Sequence, residues 1–145
     1  MEFRIRYALI LARSGRDTEH LNQLKCILLH LHDQFINSAL KESIKKQTYK
    51  NYQHIIFDGK SRDGTSKFIL EKSNTKNLYI NKKDKGIYDA LNKSIKKAKG
   101  EYIIILHSGD FFYSKNSLYL LSKFINKNKN FDFYFSNILF YNQKN

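Results

Sequence analysis

The sequence predicts an α/β domain built on a mostly parallel sheet flanked by helices. Three observations carry that expectation. From about residue 50 onward, short β-rich runs alternate with stretches of helical spacing, the order a parallel sheet with helices on its faces requires. The run EYIIILHSGD, 101–110, carries the unbroken apolar stretch Tyr102 to Leu106, as do strands buried on both faces of such a sheet. No repeat, proline-rich linker or low-complexity tail interrupts the 145 residues, a length that suits one domain.

Taken in order, the first 24 residues carry no pattern that assigns them. KCILLHLH, 25–32, reads as a strand or as part of a longer helix, and the residues leave both open. FINSALKESIKKQ, 35–47, reads as a helix. YQHIIFD, 52–58, is a short β-rich run that stops at Asp58. DGTSKFILEKS, 63–73, places Phe68, Ile69 and Glu71-Lys72 at amphipathic helical spacing, and NLYIN, 77–81, is strand-like. GIYDALNKSIKKAKG, 86–100, puts Ile87, Leu91, Ile95 and Ala98 on one helix face, with Gly100 placed to end it. SLYLLSKFINK, 117–127, is another helix, and FDFYFSNILFY, 131–141, a last strand.

The composition is that of a globular chain, with 41% hydrophobic and 14% aromatic residues, enough for a sizeable core. No apolar run approaches the roughly 20 residues of a membrane helix. The N-terminus imitates a secretory leader only weakly, because its apolar part, Tyr7 to Ala12, is short. Cys26 is the sole cysteine, which excludes a disulfide framework and a cysteine zinc cluster and fits a reducing, cytoplasmic setting. The 26 Lys and Arg against 13 Asp and Glu give a net charge of +13. Such a field attracts nucleic acid, phosphorylated small molecules or the acidic face of a membrane. A composition rich in Lys, Asn and Ile, as an AT-rich gene encodes, accounts for the charge equally well, so the charge alone names no partner.

Ligands of an open parallel sheet bind at the carboxyl ends of its strands. Polar residues gather at three such ends. Asp58 follows a buried run and is not needed as a cap, so its carboxylate is free to accept from a ring N–H or a ribose hydroxyl. Asp63 starts the next helical stretch and reads first as an N-cap. Asp84, Lys85 and Gly86 precede a helix whose first N–H groups suit a phosphate, and Asp89 and Asn92 share one face of it. Asp110 stands after a buried run and a glycine, where one carboxylate and the phosphates of a nucleotide make an ordinary Mg²⁺ or Mn²⁺ arrangement. The five histidines show no metal spacing; His30 and His32 alternate as packing or solvent-facing residues do. There is no Ser/His/Asp arrangement, no Walker loop and no G-x-G-x-x-G.

QTYKNYQHIIFDGKSRDGT followed by DKGIYDALNKSIKKAKGEYIIILHSGD resembles the bacterial inverting glycosyltransferases of family 2, with the GT-A fold. The likeness runs from Phe35 to Tyr141, and the enzymes of capsule, exopolysaccharide and lipopolysaccharide assembly resemble it most. The resemblance implies transfer of a sugar from a nucleotide-diphosphate sugar, commonly a UDP-sugar, to a glycan or lipid-linked acceptor. It implies that Asp58 holds the base, with Asp63 across the turn that closes over the nucleotide. Asp84, Lys85, Gly86, Asp89 and Asn92 would line the ribose, diphosphate and sugar. Ser108-Gly109-Asp110 would stand for the D-x-D motif, with Asp110 on Mg²⁺ or Mn²⁺ as a Lewis acid. The partners so implied are the donor and the acceptor; the surplus of Lys and Arg adds the expectation of a peripheral contact with an acidic inner membrane, and no nucleic acid is expected.

Three departures from the family pattern set further expectations. The first strand of the family, with a pattern like ITPVYN, should fall on Ile27–His32, where only its apolar start is kept. A back-translation of Ile-Leu-Leu-His read in another frame encodes Ile-Thr-Pro, so the expectation is a frameshifted or otherwise altered N-terminus, with residues 1 to about 32 not native to the fold. His107 replaces the usual Asn before Ser-Gly-Asp. The chain stops at Asn145, where the family continues into the acceptor half that carries the catalytic base. Asn137 sits where the pattern often has an acid, and no base is read from the sequence. The expectation is a single donor-binding domain over 1–145, truncated before the acceptor half. Its alternatives are an inactive remnant that only binds nucleotide, and a basic nucleic-acid binder supported by the charge and by 11 Phe and 10 Tyr. Because those aromatics fall mostly within apolar runs, core packing is their better reading.

Overall fold

A computed structural model describes residues 10–13, 24–30, 38–62, 64, 66–67, 77–107, 110–128 and 131–135. Six strands form one sheet: β1 (Ile10–Arg13), β2 (Leu24–His30), β3 (Tyr52–Asp58), β4 (Asn77–Asn81), β5 (Tyr102–Leu106) and β6 (Phe133–Phe135). Among the described residues three helices of eight or more residues accompany them, α1 (Ser38–Lys45), α2 (Ile87–Ile95) and α3 (Ser117–Lys127), and Ser66 and Lys67 are also helical. The sheet order is β4-β3-β2-β5-β1-β6. Strands β4, β3, β2 and β5 run parallel, and β1 lies antiparallel to both β5 and β6. The sheet is therefore mostly parallel, as the alternation predicts.

Side chains of β3 and β5 alternate between two cores. Ile56, Tyr102, Ile104 and Leu106 pack with Leu40 and Ile44 of α1, Leu118 and Ile125 of α3, and Tyr134. Ile55, Phe57 and Ile103 face the other way, onto Ala90 and Ala98 of α2 and its flank. The period of two in a strand thus sends each successive residue into a different core, so both faces need apolar residues. Handedness assigns the layers. The chain leaves β2 towards β3 through α1, then returns from β4 to β5 through α2 in the opposite direction. Right-handed crossovers in opposite directions put their helices on opposite faces.

The order reverses between β2 and β5, a switch point of the kind at which open sheets hold their ligands. Residues 1–24, unassigned by pattern, contribute β1, whose register pairs Leu11 with Ile104 and with Tyr134. KCILLHLH resolves in favour of a strand, β2, at the centre of the sheet and in register with β3 from Leu24–Tyr52 to His30–Asp58. The helix expected over 63–73 lies largely outside the described residues, as does the last strand beyond Phe135. Among the described residues no helix is long and apolar enough to cross a membrane.

Candidate functional site

Register fixes where the strand-end residues stand. Asp58 ends β3 and pairs with His30 of β2 on one side and Asn81 of β4 on the other. Its carboxylate is fully buried. Oδ1 accepts from the Ser61 backbone N–H at 3.0 Å and the Ser61 hydroxyl at 2.6 Å. Oδ2 accepts from the Tyr79 hydroxyl at 2.8 Å and from the Ser66 hydroxyl. Burial works to raise the Asp58 pKa, but these hydrogen bonds to the charged form outweigh it and hold it below the ordinary 3.8. Asp58 is therefore a buried anion at the centre of the turn from Gly59 to Ser66, and in this arrangement it presents no surface to a base. The sequence signals the acid but not its partners. Lys60, beside it, is held at φ 65°, a left-handed conformation that the Ser61-to-Asp58 bonds lock.

Tyr79 of β4 is the donor from the neighbouring strand. Burial first, then its bond to Asp58, pushes its pKa from 10.0 up to about 12. A proton held more tightly in the folded state stabilises fully below pH 10 and is lost as pH rises through 12. The stability advantage of the wild type over Tyr79→Phe should accordingly shrink between pH 10 and 12. Urea unfolding of both proteins at pH 8 and pH 11 measures it; an advantage that is constant with pH contradicts the assignment.

The loops after β3 and β4 meet at Gly59. A Cβ built on Gly59 would lie 2.4 Å from Oδ2 of Asp84. Only a residue without a side chain lets that carboxylate lie against the end of β3, a role that the sequence analysis misses. Asp84 Oδ1 also accepts the Gly86 N–H at 2.8 Å. Because the clash in Gly59→Ala falls on the tip of one side chain, the fold should survive while Asp84 is displaced. The expected result is a melting temperature within about 4 °C of wild type, equivalent to about 1 kcal/mol, with weakened binding of uridine diphosphate by calorimetry. Unchanged binding would remove Asp84 from the site.

Gly86 caps α2 at φ 112° and ψ 177°, a region that residues with a side chain avoid. Asp89 reaches back from the first turn: its Oδ2 accepts the Lys85 N–H at 2.9 Å and the Lys93 ammonium at 2.6 Å. The Lys93 bond first, then the Lys85 N–H, lowers the Asp89 pKa. Lys93 also donates to the Lys83 carbonyl at 2.8 Å. Two backbone N–H groups that the sequence offers to a phosphate, those of Lys85 and Gly86, are thus already taken by Asp89 and Asp84. The Lys85 side chain is exposed, as is Asn92 one turn along from Asp89.

At the end of β5, Asp110 Oδ2 accepts the His107 N–H at 2.7 Å, and the Asp110 N–H returns to the His107 carbonyl at 3.0 Å. The carboxylate is half-buried, and no bond to Oδ1 is formed among the described residues. Among those residues no group of three or more His, Cys, Asp and Glu side chains gathers as a metal cage. A single carboxylate could supply at most one ligand to a divalent cation, the rest having to come from other groups. Asp63, Ser108, Gly109 and Asn137 lie outside the described residues.

Known proteins match this chain in sequence and in fold. The sequence model of the glycosyl transferase family 2 matches residues 34–145. An uncharacterized glycosyltransferase of Rickettsia felis is 38% identical over 96 residues, 64% of this chain and 16% of that protein. The Escherichia coli UDP-Glc:alpha-D-GlcNAc-diphosphoundecaprenol beta-1,3-glucosyltransferase WfgD is 33% identical over 95 residues, 65% of this chain and 38% of that one. This chain thus spans well under half the length of either relative. Among solved structures, Staphylococcus aureus TarS 1–349 superposes with a TM-score of 0.63 at 19% identity, over 72% of this chain and 32% of that one. The same protein in complex with UDP-GlcNAc gives 0.62 at 20% identity, over 72% and 31%.

Proposed function

The chain belongs to glycosyl transferase family 2, and on that premise we propose that it binds a nucleotide-diphosphate sugar with UDP as its nucleotide. The sugar passes, with inversion, to a glycan or lipid-linked acceptor in surface-polysaccharide assembly. Support for the donor comes from the name of the E. coli relative, which specifies UDP-Glc, and from the TarS complexes with UDP-GlcNAc and UDP. Support for the acceptor class comes from the diphosphoundecaprenol in the same name.

The single observation that carries the reading is the approach of Asp84 to Gly59, which joins the loops after β3 and β4 into one rim beside the switch point. On this reading Asp58 works by holding the turn from Gly59 to Ser66, with Asp63 inside it, and the turn meets the base. Asp84, Lys85, Gly86, Asp89 and Asn92 form the ribose, diphosphate and sugar side, where the ammonium of Lys85 supplies the counter-charge. Asp110 would hold Mg²⁺ or Mn²⁺ together with the donor's own diphosphate, and that ion, when bound, supplies Lewis-acid neutralisation of the leaving group. An inverting displacement also needs a base for the proton of the attacking hydroxyl, which these roles leave to a residue outside the donor rim.

Lys60, Arg62, Lys67, Lys82, Lys83 and Lys85 are all exposed on the same two loops or just beyond them. They steer an anionic donor to the rim and favour peripheral contact with an acidic membrane surface. Titration with UDP, ADP, GDP and CMP in the presence of Mn²⁺ tests the reading. UDP should bind most tightly. Equal affinity for all four, or steeply salt-dependent binding to DNA with none to UDP, would favour the nucleic-acid alternative.

A further inference from the structure

We propose that Ser43, Gln47 and Thr48, at the end of α1, are positioning residues that hold the Asp110 loop in place for the metal and diphosphate; this rests on the donor-site reading above. Gln47 is 1% exposed, in a place where an unsatisfied amide would be costly. Its Nε2 donates to the carbonyls of Ser43 at 3.0 Å and Ser114 at 2.8 Å, and its Oε1 accepts the Leu118 N–H at 3.0 Å. The Thr48 N–H donates to the Lys115 carbonyl at 2.8 Å, and its hydroxyl meets the Asn116 side-chain oxygen at 3.0 Å. Ser43 Oγ donates to the Leu40 carbonyl at 2.8 Å and accepts the Phe112 N–H at 3.1 Å.

The main chain is thereby tied to α1 at residues 112, 114, 115 and 118, starting two residues beyond Asp110. The Asp110 turn is closed on itself by its two bonds with His107. Those two bonds set the shape of the turn, while β5 on one side and the clamp on the other set its place. Gln47 also does for α3 what that helix lacks locally, since Asn116 at its N-cap makes no side-chain capping bond. A buried amide that touches three main-chain groups on two segments is therefore joined to the metal loop and not only to the core. It acts as an outer-shell support does, by fixing the residue that holds the ion.

The test compares wild type with Gln47→Met, which keeps length and volume but loses all three bonds, and with Ser43→Ala, which loses the Phe112 contact along with the hydroxyl's bond to the Leu40 carbonyl of its own helix. Ala98→Gly, in the opposite core, serves as a destabilised control. Each protein is titrated with UDP in Mn²⁺ and in EDTA, and Mn²⁺ binding is followed by electron paramagnetic resonance. The gain in UDP affinity given by Mn²⁺ should fall on the order of tenfold in Gln47→Met, less in Ser43→Ala and not at all in Ala98→Gly. If Gln47→Met does not fold, Ser43→Ala against Ala98→Gly decides. An undiminished gain in the clamp variants, or an equal loss in the control, overturns the clamp alone. A wild type without metal-dependent UDP binding overturns the donor-site reading and the clamp with it.

Discussion

Asp58→Ala should unfold roughly 3–4 kcal/mol more easily than wild type and should bind UDP poorly even where it remains folded. The carboxylate is fully buried and takes four hydrogen bonds, one from a main-chain N–H and three from hydroxyls. Truncation leaves those donors without their acceptor in a space that apolar atoms do not fill. Asp58→Asn keeps one acceptor oxygen and the shape, so its loss should be smaller. The pH dependence follows from the lowered pKa. A depressed folded-state pKa stabilises at pH values above the ordinary 3.8 and is lost as pH falls through the lower folded value. Acid unfolding of the wild type therefore begins below pH 4 where Asp58 governs it, and Asp58→Asn should lack that step. An organising role also predicts equal proportional losses for UDP, GDP and ADP in Asp58→Asn, whereas a direct contact to the base predicts a change in their order.

Asp110→Ala should have the contrary profile, with little lost stability and a large loss of metal-dependent binding. Its carboxylate is half-buried and makes one bond within its own turn, worth about 1 kcal/mol. If it holds the ion against the donor's diphosphate, UDP affinity in Mn²⁺ should fall roughly a hundredfold, which is about 2.8 kcal/mol. Affinity in EDTA should not change. Thermal melting beside calorimetry separates the two effects. A variant that keeps the Mn²⁺-dependent gain removes Asp110 from the metal site.

β3 and β5 were legible because burial on both faces gives near-continuous apolar runs, and the edge strand β4 because it is a short β-rich run. YQHIIFD and NLYIN coincide with β3 and β4, and SLYLLSKFINK with α3. The N-terminal strands were not. β1 is four residues long and gains its place only by antiparallel pairing with β5 and β6, far along the chain. Without its neighbours, KCILLHLH has an apolar run that fits either period. At the site, the acids could be found from their positions after buried runs, but their hydrogen-bond partners could not. Ser61, Ser66 and Tyr79 reach Asp58 from a turn and from another strand. Gln47 meets Leu118, 71 residues away, and nothing in IKKQTYK distinguishes it from a solvated glutamine. Gly59 carried a signal that could have been used: a glycine directly after a strand-end acid marks a place where another group comes close.

Calorimetric titration of the wild-type chain with UDP, with and without Mn²⁺, tests the donor site most directly. The account predicts saturable binding that Mn²⁺ strengthens many-fold. A chain that is folded by circular dichroism and binds no UDP in either condition would contradict it.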